Sequence, residues 1–288
     1  MRPDVHPLHH ADTGTWSYVV ADPATCVAAI IDPVLDFDAK SARISHASAQ
    51  KLVEIAQQHA YQVRWLLETH AHADHLSSAH WLKQQFPDAT LAIGAGICEV
   101  QKAFASRLDP DGTLDIHGSQ FDRLLGDNES FEVGSLQARA IPVPGHTRDS
   151  LAYLIGDALF TGDSLFMPDA GTARCDFPGG DAATLYRSIR HLYDSLPEAT
   201  RVFVCHDYGP GGREVACETT LGEQKRSNLH VREGVDENAF VTLRQTRDAT
   251  LAMPALILPS LQVNLRGGAL PEPEANGVRY LRLPLDSL

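Results

Sequence analysis

The chain lacks any run of about 18 consecutive apolar residues, and Met1-Arg2-Pro3-Asp4 is not a basic-then-apolar leader. Neither a membrane-spanning helix nor a secretory signal is therefore expected. Lys/Arg runs are missing too, and 24 basic residues against 37 acidic ones leave a formal charge of −13. A field of that sign opposes nucleic acid and anionic membrane, so no partner of either kind is expected, and a small anionic substrate would need a local basic pocket. The five cysteines, Cys26, Cys98, Cys175, Cys205 and Cys217, form no CxxC pair. That fits reduced thiols in a cytoplasmic protein, and neither a disulfide framework nor a zinc knuckle. Internal repeats and low-complexity tracts are also absent. What 288 residues with 43% apolar content do supply is material for a sizeable core.

Against this plain background, Thr69-His70-Ala71-His72-Ala73-Asp74-His75 stands out, with three imidazoles and one carboxylate within six positions. Val63 to Leu67 reads as a buried strand and Leu76 to Phe86 as a helix, which places the cluster at a strand-to-helix turn. His70 and His72 are expected to share one side of the extended strand end, with Asp74 and His75 in the first helical turn. One turn then offers donors to two adjacent metals. A lone histidine is ordinarily a satisfied core or surface residue, and His9, His10, His46, His59 and His191 are read so. A metal needs several deprotonated donors converging from different elements. Three more candidates follow strand-like segments: His146 after Ala138 to Val143, Asp163 after Leu151 to Phe160, and His206 after Arg201 to Val204.

The set His70-x-His72-x-Asp74-His75, then His146, Asp163 and His206, resembles the metallo-β-lactamase superfamily from about residue 6 to about residue 230. The resemblance implies an α/β fold (α+β by some schemes), a four-layer αββα sandwich with two mixed sheets face to face and helices outside. It also implies a catalytic domain over residues 1–235, with 236–288 as a C-terminal extension packing on the core or making a subunit contact; a homodimer is compatible with this. Lacking a leader and a disulfide framework, the chain does not look like a typical secreted β-lactamase. Fold alone does not give the reaction.

The discriminating stretch is Asp169 to Gly180, which resembles the Arg-x-Asp-Phe loop that follows the metal aspartate in persulfide dioxygenases of the ethylmalonic-encephalopathy type. By that resemblance His70, His146 and Asp163 bind Fe(II), one per chain. Two imidazoles and a carboxylate suit a non-haem iron that must accept both substrate and O₂. His72, Asp74, His75 and His206 then serve either as outer hydrogen-bond partners or as ligands of a second metal, and that choice stays open here. Arg174 is expected to grip a substrate carboxylate with its planar fork while Asp176 orients the loop. Cys175 is read as a small packed thiol. Thr147 and Tyr208 carry over as pocket residues, the Tyr208 phenol donating to substrate or oxygen. Arg226, or Lys225, is expected to meet the glycyl carboxylate of glutathione. The implied reaction takes glutathione persulfide and O₂ to glutathione and sulfite, with any sulfurtransferase as a separate protein because no rhodanese domain is fused.

One alternative is a glyoxalase II-like thioester hydrolase holding two zinc ions with the same seven ligands. Its Gly-Arg-Phe-Phe-like element and helical glutathione-binding domain are not found here. The other is a catalytically silent metal-binding or sulfur-carrier partner. Elsewhere, Thr15–Val20 and Val27–Ile31 read as a hairpin, residues 48–59 and 182–196 as amphipathic helices, and Phe104 to Phe121 as a loop or lid beside the site. A short helix from Glu237 to Leu251 is expected to lead into a proline-rich tail with few periodic positions.

Overall fold

The structure, a computed structural model, describes residues 2–286. In chain order it forms β1 (Asp4–His10), β2 (Thr15–Ala21), β3 (Val27–Ile31), β4 (Val34–Asp38), β5 (Arg43–Ser45), α1 (Ala47–Gln58), β6 (Gln62–Leu67) and β7 (Leu76–Ser77). Next come α2 (Ala79–Gln85), β8 (Thr90–Gly94), α3 (Ile97–Leu108), β9 (Arg123–Leu125), β10 (Ser130–Val133), β11 (Leu136–Pro142), β12 (Leu151–Ile155) and β13 (Ala158–Phe160). The chain closes with α4 (Ala182–Ser195), β14 (Arg201–Phe203), β15 (Glu218–Thr220), α5 (Leu221–Ser227), α6 (Glu237–Asp248) and α7 (Ile257–Asn264).

Two six-stranded mixed sheets, ordered β1-β2-β3-β6-β8-β9 and β10-β11-β12-β13-β14-β15, make the two inner layers, and β5-β4-β7 is a small annex. Strand alternation builds the layers. Along β3, Ala28 and Ile30 face the cluster shared with α1, α2 and α3, whereas Ala29 and Ile31 face the second sheet. A strand apolar on both faces is what a sheet covered on both sides requires. Between the sheets, Tyr18, Leu67 and Ala92 meet Phe131, Tyr153 and Phe160. On the far side, Ile141, Ala152 and Leu159 pack on Leu185, Ile189 and Leu192 of α4. The result is the expected αββα sandwich. Asp181 caps α4, its carboxylate accepting from the Thr184 N–H at 2.7 Å. No helix among the described residues is long and apolar enough to cross a membrane.

Three expectations are corrected. The helix after the histidine cluster starts at Ala79, and Leu76–Ser77 instead pairs with β4 as strand β7, so Asp74 and His75 lie in a loop. The Ser77 N–H is taken by Asn264 Oδ1 at 2.7 Å, which removes it from a helical ladder. The stretch Phe104 to Phe121 is no lid. Its first five residues finish α3, and the rest is tied to the chain's C-terminal part, with Asp109 paired to Arg266 at 2.8 Å. Finally, the tail contains α7, whose Ile257, Ser260, Leu261, Gln262, Val263 and Asn264 are all buried. A helix buried on several sides shows no apolar stripe, which is why periodicity misses it.

Candidate metal centre

The donors converge where strands end. The loop after β6 carries His70, His72, Asp74 and His75. Gly145-His146 follows β11, Asp163 follows β13, and His206 follows β14. Gly145 sits at φ +138°, and a Cβ there would lie 2.3 Å from the Leu185 backbone nitrogen, so only glycine lets this turn seat against α4. Donor atoms of His70, His146 and Asp163 lie within 4.8 Å of one another, and so do those of His72, Asp74, His75 and His206. Asp163 joins the two groups. Its Oδ2 is 3.7 Å from His70 Nε2 and 3.6 Å from His146 Nε2, and its Oδ1 is 3.2 Å from His206 Nε2.

Each imidazole is held by one nitrogen. His146 Nδ1 donates to the Arg174 carbonyl at 2.7 Å, and His72 Nε2 is 3.2 Å from Asp32 Oδ1. His70 Nδ1 lies 3.2 Å from Thr69 Oγ1, and the Nδ1 atoms of His75 and His206 each lie 3.4 Å from Thr15 Oγ1. The nitrogens on the other side, His70 Nε2, His72 Nδ1, His75 Nε2 and His206 Nε2, are buried with no hydrogen-bond partner, as is Asp163 Oδ1. Orphaned buried polar atoms cost on the order of 1–3 kcal/mol each. Several converging on one point, each with its opposite nitrogen anchored, form the pattern of ligands oriented by outer hydrogen bonds, and a transition metal ion fits it.

Charge agrees. Burial would raise the Asp163 carboxyl, but the imidazoles of His206, His70 and His146 hold it well below the usual range. Burial pushes His70 well below its ordinary value and His75 down to about 4, leaving neutral, lone-pair-bearing rings. Burial acts the same way on His72 and His206. There the carboxylates win, Asp32 lifting His72 to about 10, and Asp163 with Asp74 lifting His206 to about 9. The cluster demands positive charge, met by protons on these rings or by a cation coordinated in their place.

The cavity beside the cluster holds about 600 Å³ and is lined by Asp74, His146, Asp163, His206, Arg174 and Tyr208 among others. The Tyr208 ring is exposed and stacks parallel to His206, with centroids 6.1 Å apart. Three substrate expectations are corrected. Arg226 does not line this cavity, since it pairs with Glu223 at 3.2 Å and Glu198 at 3.8 Å. The Arg174 fork is already filled: Nε and Nη2 donate to both Asp176 oxygens at 2.6 and 2.7 Å, and Nη1 to the Ala252 carbonyl at 2.7 Å. Thr147, beside His146, is half-buried with its hydroxyl 2.6 Å from Ser150 Oγ, and it too is outside the lining. Cys175 is buried, and that burial pushes its thiol up to about 12.

Sequence reasoning passed over several participants. Asp32, at φ 48°, accepts from the Thr69 N–H at 2.7 Å and so fixes the ligand loop; the Asp-Pro dipeptide after β3 was its signal. Cys205 Sγ lies with His72, Asp163 and His206. Asn264 of α7 donates to the carbonyls of His72 and His75, both at 2.8 Å. No local motif announces that contact.

A family model described as the metallo-beta-lactamase superfamily matches residues 11–206. A β-lactamase hydrolase-like protein of Xylella fastidiosa is 50% identical over 99% of this chain, which spans 65% of that protein's length. Glyoxylase B2 of Dictyostelium discoideum is 45% identical, covering 96% of this chain and 95% of its own. Mouse mitochondrial persulfide dioxygenase ETHE1 is 29% identical over 84% of this chain and 82% of its own. Among solved structures, that of ETHE1 from Myxococcus xanthus superposes with a TM-score of 0.73 at 27% identity, over 92% of this chain and 100% of that one.

Proposed function

The chain belongs to the metallo-β-lactamase superfamily, and from that premise we propose that it is an iron-dependent persulfide dioxygenase. It takes glutathione persulfide, O₂ and water to glutathione and sulfite. The observation that carries this reading is the tie between His146 and the Arg174-Cys175-Asp176-Phe177 loop. The Arg174 carbonyl fixes His146 Nδ1, and the Phe177 ring meets the His146 ring edge-on at 5.3 Å. The segment that resembles the dioxygenase loop is thus the element that aims a metal donor. The likeness to the two ETHE1 proteins supports the same direction.

In this reading His70, His146 and Asp163 hold one Fe(II), which when bound supplies the redox chemistry that joins a persulfide sulfur to O₂. The chain's residues do the rest. His72, with Nε2 3.2 Å from Asp32 Oδ1, and His206, with Nε2 facing Asp163 Oδ1 at 3.2 Å, fix the donors' orientation through charge attraction to buried carboxylates. Asp176 neutralises Arg174 and so holds the loop that carries the His146 anchor. Tyr208, exposed on the cavity lining, offers a phenol O–H to the substrate. Phe166, Phe177 and Ala73 line the same space and limit water around the reacting sulfur. A sulfurtransferase is the partner that would supply or consume persulfide.

One observation favours a second reading, a dinuclear thioester hydrolase: His72 Nδ1, His75 Nε2 and His206 Nε2 are as unpartnered as His70 Nε2. The names of the Xylella and Dictyostelium relatives point the same way. Metal analysis of anaerobically purified protein, with an oxygen electrode and a thioester assay in parallel, separates the two. One iron per chain with persulfide-dependent O₂ uptake supports the proposal; two zinc ions with thioester cleavage and no O₂ uptake overturn it.

A further inference from the structure

With the Arg174 fork filled and Arg226 elsewhere, neither arginine expected to anchor the substrate is free to do so, yet the cavity has other donors. His230, Arg244 and Arg247 all line it. Arg244 is built in: its side chain is 2% exposed, Nη1 donates to the Thr172 carbonyl at 3.0 Å, and Nη2 pairs with Asp248. Its Nε is buried with no partner. His230 accepts the Thr172 N–H on Nδ1 at 3.0 Å, so its proton sits on Nε2, the ring atom left to meet a ligand. Gly171 makes room for that ring, because a Cβ there would lie 2.2 Å from His230 Nδ1. Burial, with Arg244 and Arg247 nearby, lowers His230 to about 4, so the imidazole is a neutral donor at physiological pH. Arg247 is exposed one helical turn further along α6 and forms no ion pair with any carboxylate among the described residues.

We propose that His230, Arg244 and Arg247 form a subsite for a carboxylate of the thiol substrate. This rests on the substrate class given under Proposed function. Such a donor-only wall in a chain of net charge −13 selects an anion. Arg247 brings the formal charge not already neutralised, and Arg244 Nε and His230 Nε2 bring fixed donors. A cavity of about 600 Å³ holds a ligand of tripeptide size. The subsite takes the carboxylate end and leaves the sulfur to reach the His146 and Asp163 side of the same cavity.

The test separates the subsite from the reaction. S-methylglutathione, which carries both carboxylates but no free thiol, and its diester are titrated calorimetrically into the metal-loaded protein. Wild type should bind the acid roughly tenfold or more tighter than the diester, the usual worth of one charge-assisted hydrogen bond. Arg247→Ala should remove most of that ratio and Arg247→Glu all of it; the residue is exposed, so both variants keep the fold. Equal binding of acid and diester, or a ratio that survives Arg247→Glu, overturns the subsite. O₂ uptake with glutathione persulfide is measured alongside. No uptake together with an intact acid-to-diester ratio removes the dioxygenase reading and leaves the subsite standing.

Discussion

The loop from Glu68 to His75 and the chain beyond residue 236 build one cavity by opposite means. The loop contributes side chains whose chemistry is plain in their identity, imidazole and carboxylate, on a turn between a strand and its return. The extension contributes placement. Asn264 holds two backbone carbonyls of that loop, Asp248 Oδ2 accepts the Cys175 N–H at 2.9 Å, and Ala252 lends a carbonyl to Arg174. The first region holds a metal by what it is, the second by where it sits. The difference predicts which substitutions abolish the centre and which only loosen it.

The largest effects belong to the loop and its strand-end partners. His70→Ala, His146→Ala or Asp163→Ala should each lose the metal, because a three-donor site does not keep its geometry with two. Activity should fall at least about a thousandfold, beyond the tenfold to hundredfold typical of outer partners. Metal stoichiometry by elemental analysis checks this. His206→Ala sharpens the comparison: in the mononuclear reading it retains most iron and slows turnover, and loss of all metal would show a dinuclear site.

Next comes Asn264, the residue that can break the contrast. Its amide donates to the carbonyls of His72 and His75 and accepts from Ser77 N–H, all within 2.8 Å and all buried. Asn264→Ala leaves those groups unpaired, at a cost of about 2–4 kcal/mol in stability. If the extension sets the loop's geometry, metal affinity drops tenfold to a hundredfold as well, read by competition with a chelator. A lowered Tm with unchanged affinity would make the extension a strap and nothing more.

What was readable in advance follows the same divide. The seven donor positions, from His70 to His206, and the αββα layering announce themselves through residue type and strand alternation, since a strand such as Val27–Ile31 must be covered on both faces. The residue type of Arg174 advertises its side chain, while the structure uses its carbonyl on His146, a contact any residue type can make. Asn264 lies 189 residues beyond His75, and His230, Arg244 and Arg247 fall in no motif. Backbone-mediated and long-range contacts leave no periodic or compositional trace, so they were silent until the chain was folded.

Arg174→Ala should have a smaller effect. The variant keeps the carbonyl that orients His146, so metal content stays at the wild-type level. Its guanidinium is already paired with Asp176 and Ala252, so KM for glutathione persulfide should rise only a few-fold, on the scale of a partly exposed ion pair. A hundredfold rise in KM would mean the fork opens to receive substrate and would restore its role as the anchor.

The smallest effect lies at the far end of the extension, where it meets the turn after α3. Burial would raise the Asp109 carboxyl, but the N–H of Leu114, the hydroxyl and N–H of Thr113 and the Arg266 guanidinium hold it below its ordinary value. A carboxyl lowered in the folded state binds its proton more readily when unfolded. Its contribution is therefore complete above the ordinary carboxylate range and is lost as pH falls through and below that range. The tie is worth on the order of 1 kcal/mol, one charge-assisted contact at a mostly buried site. Acid should accordingly loosen the 257–266 segment before the inner strands, and hydrogen exchange of its amides against those of β2 and β3 reads the difference directly. Asp109→Asn should flatten that pH dependence. Equal acid sensitivity of α7 and of the inner strands, unchanged by the substitution, would show that the extension and the sandwich open as one unit and that the contrast between the two regions ends at the metal loop.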